Sequence, residues 1–501
     1  MKVYILLVLI ICLSAFLRFH NLSNIYVFNF DEEYQATYAW TLVKDPHPIW
    51  IGVSSSFLDF YVGPYFTYFT AILLKLSNGD PMLTAYFAAF LGVITTVVTF
   101  LIGWRIFNLT VGIVSSLLYA TMPLTTFFDQ KYWNTMFTPI IVILLFLTLY
   151  LVKKSAWFWV GFAALFGTIL ETHLEPAPLL LIGFYLFLKG GYWKNVKLLI
   201  VCLLTFTLFY WPLIVFDVNH NFSNLMAFTK IGNSFNQSQI AFDPILKFKS
   251  LADSMGRFWY LKAGNPNADE ISFTCNPLTV KAEFKNVVGK YSQRTNAPVF
   301  LSVLTLILLL FFLANIRGKK REYKLLAAFL SVGLFSFIIY PGASSEYYIL
   351  SILVLFIFIP GILISYLNRN YQLLFLSLIL IASLFGINTI LKTSDEFSLG
   401  PKKILISKVM NIVGEESFSI EGRGICHNFE GWRYLFKVYG RVPTQSYTDS
   451  SLGWLYPNGI SKEPPTYTII LSEDRIPLKE DLSSLESFKE GAYRIYIQKK
   501  N

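Results

Sequence analysis

The chain has 501 residues, of which 54% are hydrophobic and 14% charged, whereas soluble domains carry about 25% charged residues. A wholly soluble protein is excluded, and an aromatic share of 17% suits helices that fill gaps with rings and anchor at membrane interfaces. The net charge of +10 comes from Lys and Arg set in short connectors between apolar runs, so it orients helices and calls for no nucleic-acid partner.

Apolar runs near the roughly 17–25 residues needed to span a bilayer lie at 3–19, 82–104, 110–128, 135–152, 156–170, 174–189, 195–216, 297–315, 324–341, 347–366 and 371–391, which predicts about eleven spans. The basic connectors are Arg105, Lys153-Lys154, 189–197, the cluster Arg317, Lys319, Lys320, Arg321, and Arg369. All fall on the cytoplasmic side if Met1-Lys2 starts there and 60–76 does not cross. The run at 60–76, dense in rings from Phe60 to Phe69, is therefore read as a helix lying on the outer surface, with a twelfth span as the alternative. If the first run is instead a cleaved signal peptide, the later topology is unchanged.

This assignment leaves two long outer loops, 20–81 and 217–296, and an outer tail from 392. The chain divides into a transmembrane unit, 1–391, and a small α/β unit, 392–501, with predicted helices at 402–413 and 430–439 and strands at 467–471 and 492–497. Of four cysteines, Cys12 and Cys202 fall in apolar runs as packing residues, while Cys275 and Cys426 lie on the same outer side, where they could pair.

The first outer loop carries Asp31-Glu32-Glu33 just beyond the first span. Sugar transfer to a hydroxyl needs a base at the attacking oxygen, and Asp31 is the candidate, with Glu32 next. The structural alternative is that Asp31 caps a helix starting at Glu32. In the second outer loop Lys131 stands where a leaving phosphate needs a cation, or it snorkels to the interface. Glu171, His173 and Glu175 cluster at a span end, as site residues would, and their spacing also admits a metal; a divalent ion is left open. Arg257, among the rings of Phe258-Trp259-Tyr260, fits a sugar or phosphate segment or an interface anchor, and Glu346-Tyr347 faces the same outer side. Arg18, at the outer end of the first span, is expected to snorkel or pair with a loop acid.

Several features in order resemble the family 39 glycosyltransferases of the GT-C superfamily, a group that includes protein O-mannosyltransferases and lipid A aminoarabinose transferases. These are Leu17-Arg18-Phe19 ending the first span, Asp31-Glu32 about a dozen residues later, the helix after Gly63-Pro64, Gly103-Trp104-Arg105-Ile106-Phe107, Phe128-Asp129-Gln130-Lys131-Tyr132-Trp133-Asn134, His173, and Trp211-Pro212-Leu213 through Asp217 and His220. They cover roughly the first 220 residues. The resemblance implies a multi-pass plasma-membrane enzyme of mainly α GT-C fold. Its reaction would be an inverting transfer of a hexosyl or pentosyl group from a polyprenyl-phosphate donor to a protein, lipid or glycan hydroxyl on the outer face, with Asp31 as base. Many relatives have a further acid near the position of Asn134; this chain departs there, and Asp129 is the nearest substitute.

A flippase or other transporter would bury ionisable groups at mid-membrane between internal repeats, and no such repeat is found. A polysaccharide polymerase or ligase would pair arginines in its long outer loop, which here offers Arg257 and Arg294 only.

Overall fold

The computed structural model describes residues 2–55, 60–227, 243–262, 296–316, 318–340, 345–425 and 431–500. Most of the loop 217–296, Arg294, Arg317, Glu430 and the Cys275–Cys426 pairing lie outside the described residues.

The protein is a helical membrane bundle with a mixed sheet near its C-terminus. In chain order the helices are α1 Lys2–Phe19, α2 Phe30–Lys44, α3 Tyr65–Leu76, α4 Met82–Ile102, α5 Leu109–Thr121, α6 Pro123–Asp129, α7 Thr138–Leu151, α8 Phe158–Thr172, α9 Leu180–Lys189, α10 Val196–Asn219, α11 Pro244–Arg257, α12 Val299–Ala314, α13 Arg321–Ile339, α14 Leu350–Phe356, α15 Phe358–Ser365, α16 Arg369–Lys392, α17 Leu399–Val413 and α18 Trp432–Tyr439. Six described helical stretches are long and apolar enough to cross a membrane. The bent pair α5–α6 adds a seventh, and α1, α8, α9 and α12, shorter but apolar, coincide with the remaining predicted spans.

Span 110–128 differs from a straight helix. Its halves meet at 66°, with the break at Met122 and Pro123 as the first residue of α6. Proline cannot donate the amide that continuity would require, so the second half starts afresh. The most buried span is Glu346–Ser365, apolar on every side, whereas Val196–Asn219 and Arg369–Lys392 are mostly exposed, as lipid-facing helices are. Around it the main core gathers Leu118, Val142, Phe146, Phe329, Leu353 and Phe356.

In the first loop the helix predicted at 60–76 begins only at Tyr65. Phe60-Tyr61 instead pairs antiparallel with Ser54-Ser55, as β2 and β1. Gly63-Pro64 separates the two forms, Pro64 standing at the helix start, where its missing N–H costs no helical hydrogen bond. Helices α2 and α3 pack side by side.

The C-terminal sheet has the order β4-β3-β5-β7-β6, formed by Gln445–Ser446, Phe418–Gly422, Tyr467–Glu473, Tyr493–Lys499 and Glu486–Glu490. β3 is parallel to β4 and β5, while β7 is antiparallel to β5 and β6. Alternation in β7 buries Tyr493, Ile495 and Ile497, and charged β6 closes the edge. One buried cluster joins Leu399, Ile406, Trp432, Phe436 and Ile495 to Phe28, Ala36, Phe66 and Met82 of the N-terminal part. Polar ties reinforce it: Lys402 Nζ donates to the Phe28 carbonyl at 2.9 Å, and the Tyr434 amide donates to Glu33 Oε1 at 2.9 Å.

Candidate active site

Three adjacent acids open α2, and helical rotation sends them to different destinations. Asn29, in extended conformation, is the cap residue, and Glu32 Oε2 accepts its backbone N–H at 3.0 Å, the return half of a capping box. The helix therefore starts at Phe30, and Asp31 is the second helical residue, not the cap. It is exposed and lines a cavity of about 550 Å³. Glu33 is fully buried against α18.

The cavity is closed by the β1–β2 ribbon, the second and third outer loops and the start of the central span. It brings together Asp31, Glu32, Lys131, Asn134, His173, Glu175 and Tyr347 from the predicted residues. Lys131 Nζ lies 4.0 Å from the centre of the Trp133 ring, a cation–π seat that holds the ammonium at the cavity wall. Trp133 stacks on Phe128 and meets the edge of Tyr347 at 5.1 Å. Burial pushes the Glu32 carboxyl up to about 7, against the opposing pull of the Lys131 charge. The Asn134 amide lines the cavity and donates to the Thr172 carbonyl at 2.8 Å, which fixes the second loop to the end of α8.

His173 sits among Tyr347 and Tyr348, and burial lowers its imidazole to about 4, so it is neutral at physiological pH. Its Nδ1 accepts the Glu175 amide at 3.3 Å, which leaves the proton on Nε2. Burial raises Glu175 to about 8; one oxygen accepts the Ser351 hydroxyl, and the other is buried without a partner at the cavity wall.

Four predicted residues do not line the cavity. Asp129 is the largest correction: it is buried in an ion pair with Arg18, 2.7 Å from Nη2, and accepts the Tyr119 hydroxyl at 2.9 Å, so it cannot replace the acid expected near Asn134. Arg18 also donates to Ser14 Oγ and to the Tyr119 and Ala120 carbonyls. A Cβ at Gly92 would stand 2.5 Å from the Asp129 carboxyl, so only glycine lets α4 close over the pair. Glu171 turns to α3, where Oε2 accepts the amide of Tyr65, the first helical residue, at 3.1 Å. It packs so tightly on Gly63 that a Cβ there would overlap it. Arg257 and Glu346 form a buried pair, Nε to Oε1 2.9 Å, that clamps α11 to the start of the central span behind the wall residues Ser345 and Tyr347. Among the described residues no group of three or more His, Cys, Asp or Glu side chains converges, since Glu171, His173 and Glu175 point to different partners.

The sequence reading placed Tyr348 beside Tyr347 on this side but missed Tyr340 and Ser351 in the wall, and Lys247 behind it. Lys247 Nζ lies 5.3 Å from the Tyr340 ring and 5.5 Å from the Phe337 ring, and burial pulls its ammonium down to about 8. The available signal was Asp243-Pro244 opening an amphipathic stretch; Asp243 Oδ1 does accept the Ile245 and Leu246 amides.

These buried groups give stability a pH dependence. Glu32 and Glu33 near 7 and Glu175 near 8 lie above their ordinary 4.5, so their contributions favour the fold at acid pH and are lost as pH rises through those values. His173 has the opposite sign, its contribution being lost as pH falls from 6.5 through about 4. From pH 6.5 to about 8 the carboxyls set the trend, since Lys247, pulled down to about 8, adds stability only as pH rises past that value; the thermal midpoint in detergent should therefore fall, and Glu175→Gln should flatten the slope. A midpoint that rises over this range would contradict these assignments.

No family model and no curated protein matches the sequence. Solved structures match its fold. ArnT from Cupriavidus metallidurans bound to undecaprenyl phosphate superposes with a TM-score of 0.56 at 11% identity, over 98% of this chain and 97% of that one. Its apo state gives 0.58 at 10% over the same shares. The Archaeoglobus fulgidus oligosaccharyltransferase in the apo form gives 0.53 at 12%, over 93% of this chain and 69% of that one. The chain is thus an integral membrane protein with the GT-C fold.

Proposed function

We propose that this protein is a membrane glycosyltransferase that moves a sugar from a polyprenyl-phosphate carrier to an acceptor hydroxyl on the outer face of the membrane, with inversion. The observation that carries the reading is one cavity lined by an exposed carboxylate, Asp31, and by a fixed ammonium, Lys131. The fold adds support, because one protein that shares it is solved with undecaprenyl phosphate.

In this mechanism Asp31 accepts the proton of the acceptor hydroxyl as its oxygen attacks the anomeric carbon. The bond from that carbon to the phosphate oxygen breaks on the opposite side, and polyprenyl phosphate leaves with the electron pair. Lys131 stabilises the charge gathering on the phosphate, with a strength that its half-dry seat increases. Glu175, protonated at neutral pH, and His173, neutral with its proton on Nε2, offer hydrogen bonds to sugar hydroxyls rather than net charge. A single displacement of this kind needs no covalent sugar–enzyme bond and inverts the anomeric centre.

The basic connectors support the sidedness of this reading: with all of them in the cytoplasm, the cavity and residues 392–501 would face outward. The sugar would be a hexose or pentose derivative, and the acceptor a protein, lipid or glycan. The test is to incubate the full-length protein in nanodiscs with a panel of polyprenyl-phosphate sugars and an envelope extract, following polyprenyl phosphate by mass spectrometry. Release from at least one donor supports the reading; donors that bind and are never consumed overturn it.

A further inference from the structure

Between Asp31 and Tyr38, three α2 residues are not buried: Asp31 itself, Tyr34 and Tyr38. The spacing i, i+3, i+7 sets them in one stripe along the helix. The candidate base is thus the first member of a row whose next members are tyrosines. Phe30, which lines the cavity beside Asp31, has its ring 6.5 Å from Tyr34, and Tyr34 is 6.1 Å from Tyr38. Trp454, from the C-terminal region, stands 6.4 Å from both tyrosine rings.

Trp454 is 63% exposed, although its neighbours Leu452 and Leu455 are buried. Its segment is braced by Arg433, which pairs with Asp449 at 3.1 Å, donates to the Gly459 carbonyl at 2.7 Å and lies over the Tyr456 ring. The indole is therefore held out by a rigid base. One exposed indole beside two half-buried tyrosine rings on a fixed frame makes an accessible aromatic surface, and such surfaces mark contact sites. Their polar rims, two phenol hydroxyls and an indole N–H, suit a partner that is apolar on one face and hydroxylated at its edge. A pyranose ring is such a partner, because its axial C–H groups present a positively polarised face to the negative ring faces.

We propose that Tyr34, Tyr38 and Trp454 form the acceptor subsite, and that the acceptor is a glycan whose sugar rings stack along this row and deliver a hydroxyl to Asp31. This rests on the transferase reading above and names its acceptor class. The row continues directly from the cavity, so a chain lying on it ends at the carboxylate without further movement.

The experiment measures binding of soluble chitotetraose, mannotetraose and maltotetraose to the full-length protein in nanodiscs by saturation-transfer NMR, alongside a Ser/Thr-rich peptide and anionic vesicles. The expected result is that at least one tetrasaccharide binds. Trp454→Ala and Tyr38→Ala should each weaken it by about tenfold or more, while Trp454→Phe, which keeps a ring, largely retains it. The KM for the lipid donor should not move in these variants, and the thermal midpoint should not move in Trp454→Ala, whose side chain is exposed. The proposal is overturned if no tetrasaccharide binds, if Trp454→Ala binds as tightly as wild type, or if the Trp454-dependent ligand is the peptide or the vesicle. Saccharide binding that depends on Trp454 in a protein that never consumes a donor would leave the subsite standing and sink the transferase reading. Donor turnover without Trp454-dependent saccharide binding would do the reverse.

Discussion

Asp31→Asn should lower donor turnover by about 10²–10⁴, the span that a positioned general base contributes, with no change in thermal midpoint or in donor binding. The fold gives the reason for expecting so clean a separation. Asn29 caps α2 and Glu32 completes the capping box, so Asp31 is not the residue that starts the helix, and its carboxylate faces the cavity. Asparagine keeps its size and removes its basicity. Glu32→Gln is the matched control: the amide oxygen still accepts the Asn29 N–H, so turnover should remain near wild type. Single-turnover release of polyprenyl phosphate, read by mass spectrometry with circular dichroism as the folding check, decides between them. An Asp31→Asn protein that turns over normally would remove the base from the mechanism.

Asp129→Ala should act on the fold rather than on the chemistry. It strands the fully buried Arg18 guanidinium, and breaking a buried ion pair by removing one partner costs about 3–5 kcal/mol, a large part of a typical net stability. The Tyr119 hydroxyl loses its acceptor as well. Helices α1, α4, α5 and α6 meet at this pair, so the loss should appear as a lower yield of monodisperse protein and a lower thermal midpoint. Replacing both partners, as in Arg18→Met with Asp129→Leu, should recover much of it, since a buried pair is often matched by apolar side chains of similar volume. A single Asp129→Ala variant as stable as wild type would show that the pair does not hold the bundle together.

The bundle was largely legible in the sequence because lipid imposes one rule, an unbroken apolar stretch, and each predicted span coincides with one helix, with the consecutive helices α14 and α15 at 347–366, or, at 110–128, with a bent pair. The bend was signalled by Pro123, yet a hydropathy window does not register a single proline inside an apolar run. In the tail, strands at 467–471 and 492–497 were readable from β-branched and aromatic residues, whereas Glu486-Ser487-Phe488-Lys489-Glu490 is an edge strand whose charges disguise it. At the site, local features could be read and long-range ones could not. The place of Asp31 on the cavity wall could be anticipated from its position after the first span. The partners of Asp129, Glu171 and Arg257 lie 111, 106 and 89 positions away, and nothing in their immediate sequence names them. A carboxylate beside a span end looks the same whether it awaits a substrate, caps another helix as Glu171 does, or neutralises a buried arginine as Asp129 does. The alternative reading of Asp31 as an N-cap fails for a smaller reason, since Asn29 two residues earlier is an equally good cap and takes the position.

The account depends most on the cavity opening to the outer side of the membrane. Ser54 is exposed at its rim and takes no part in the proposed chemistry. Ser54→Cys, in a chain whose native cysteines are replaced by serine, should react with a membrane-impermeant maleimide on intact cells, and added polyprenyl phosphate should slow the reaction. Labelling that requires permeabilised cells would place the cavity on the cytoplasmic side and contradict the account.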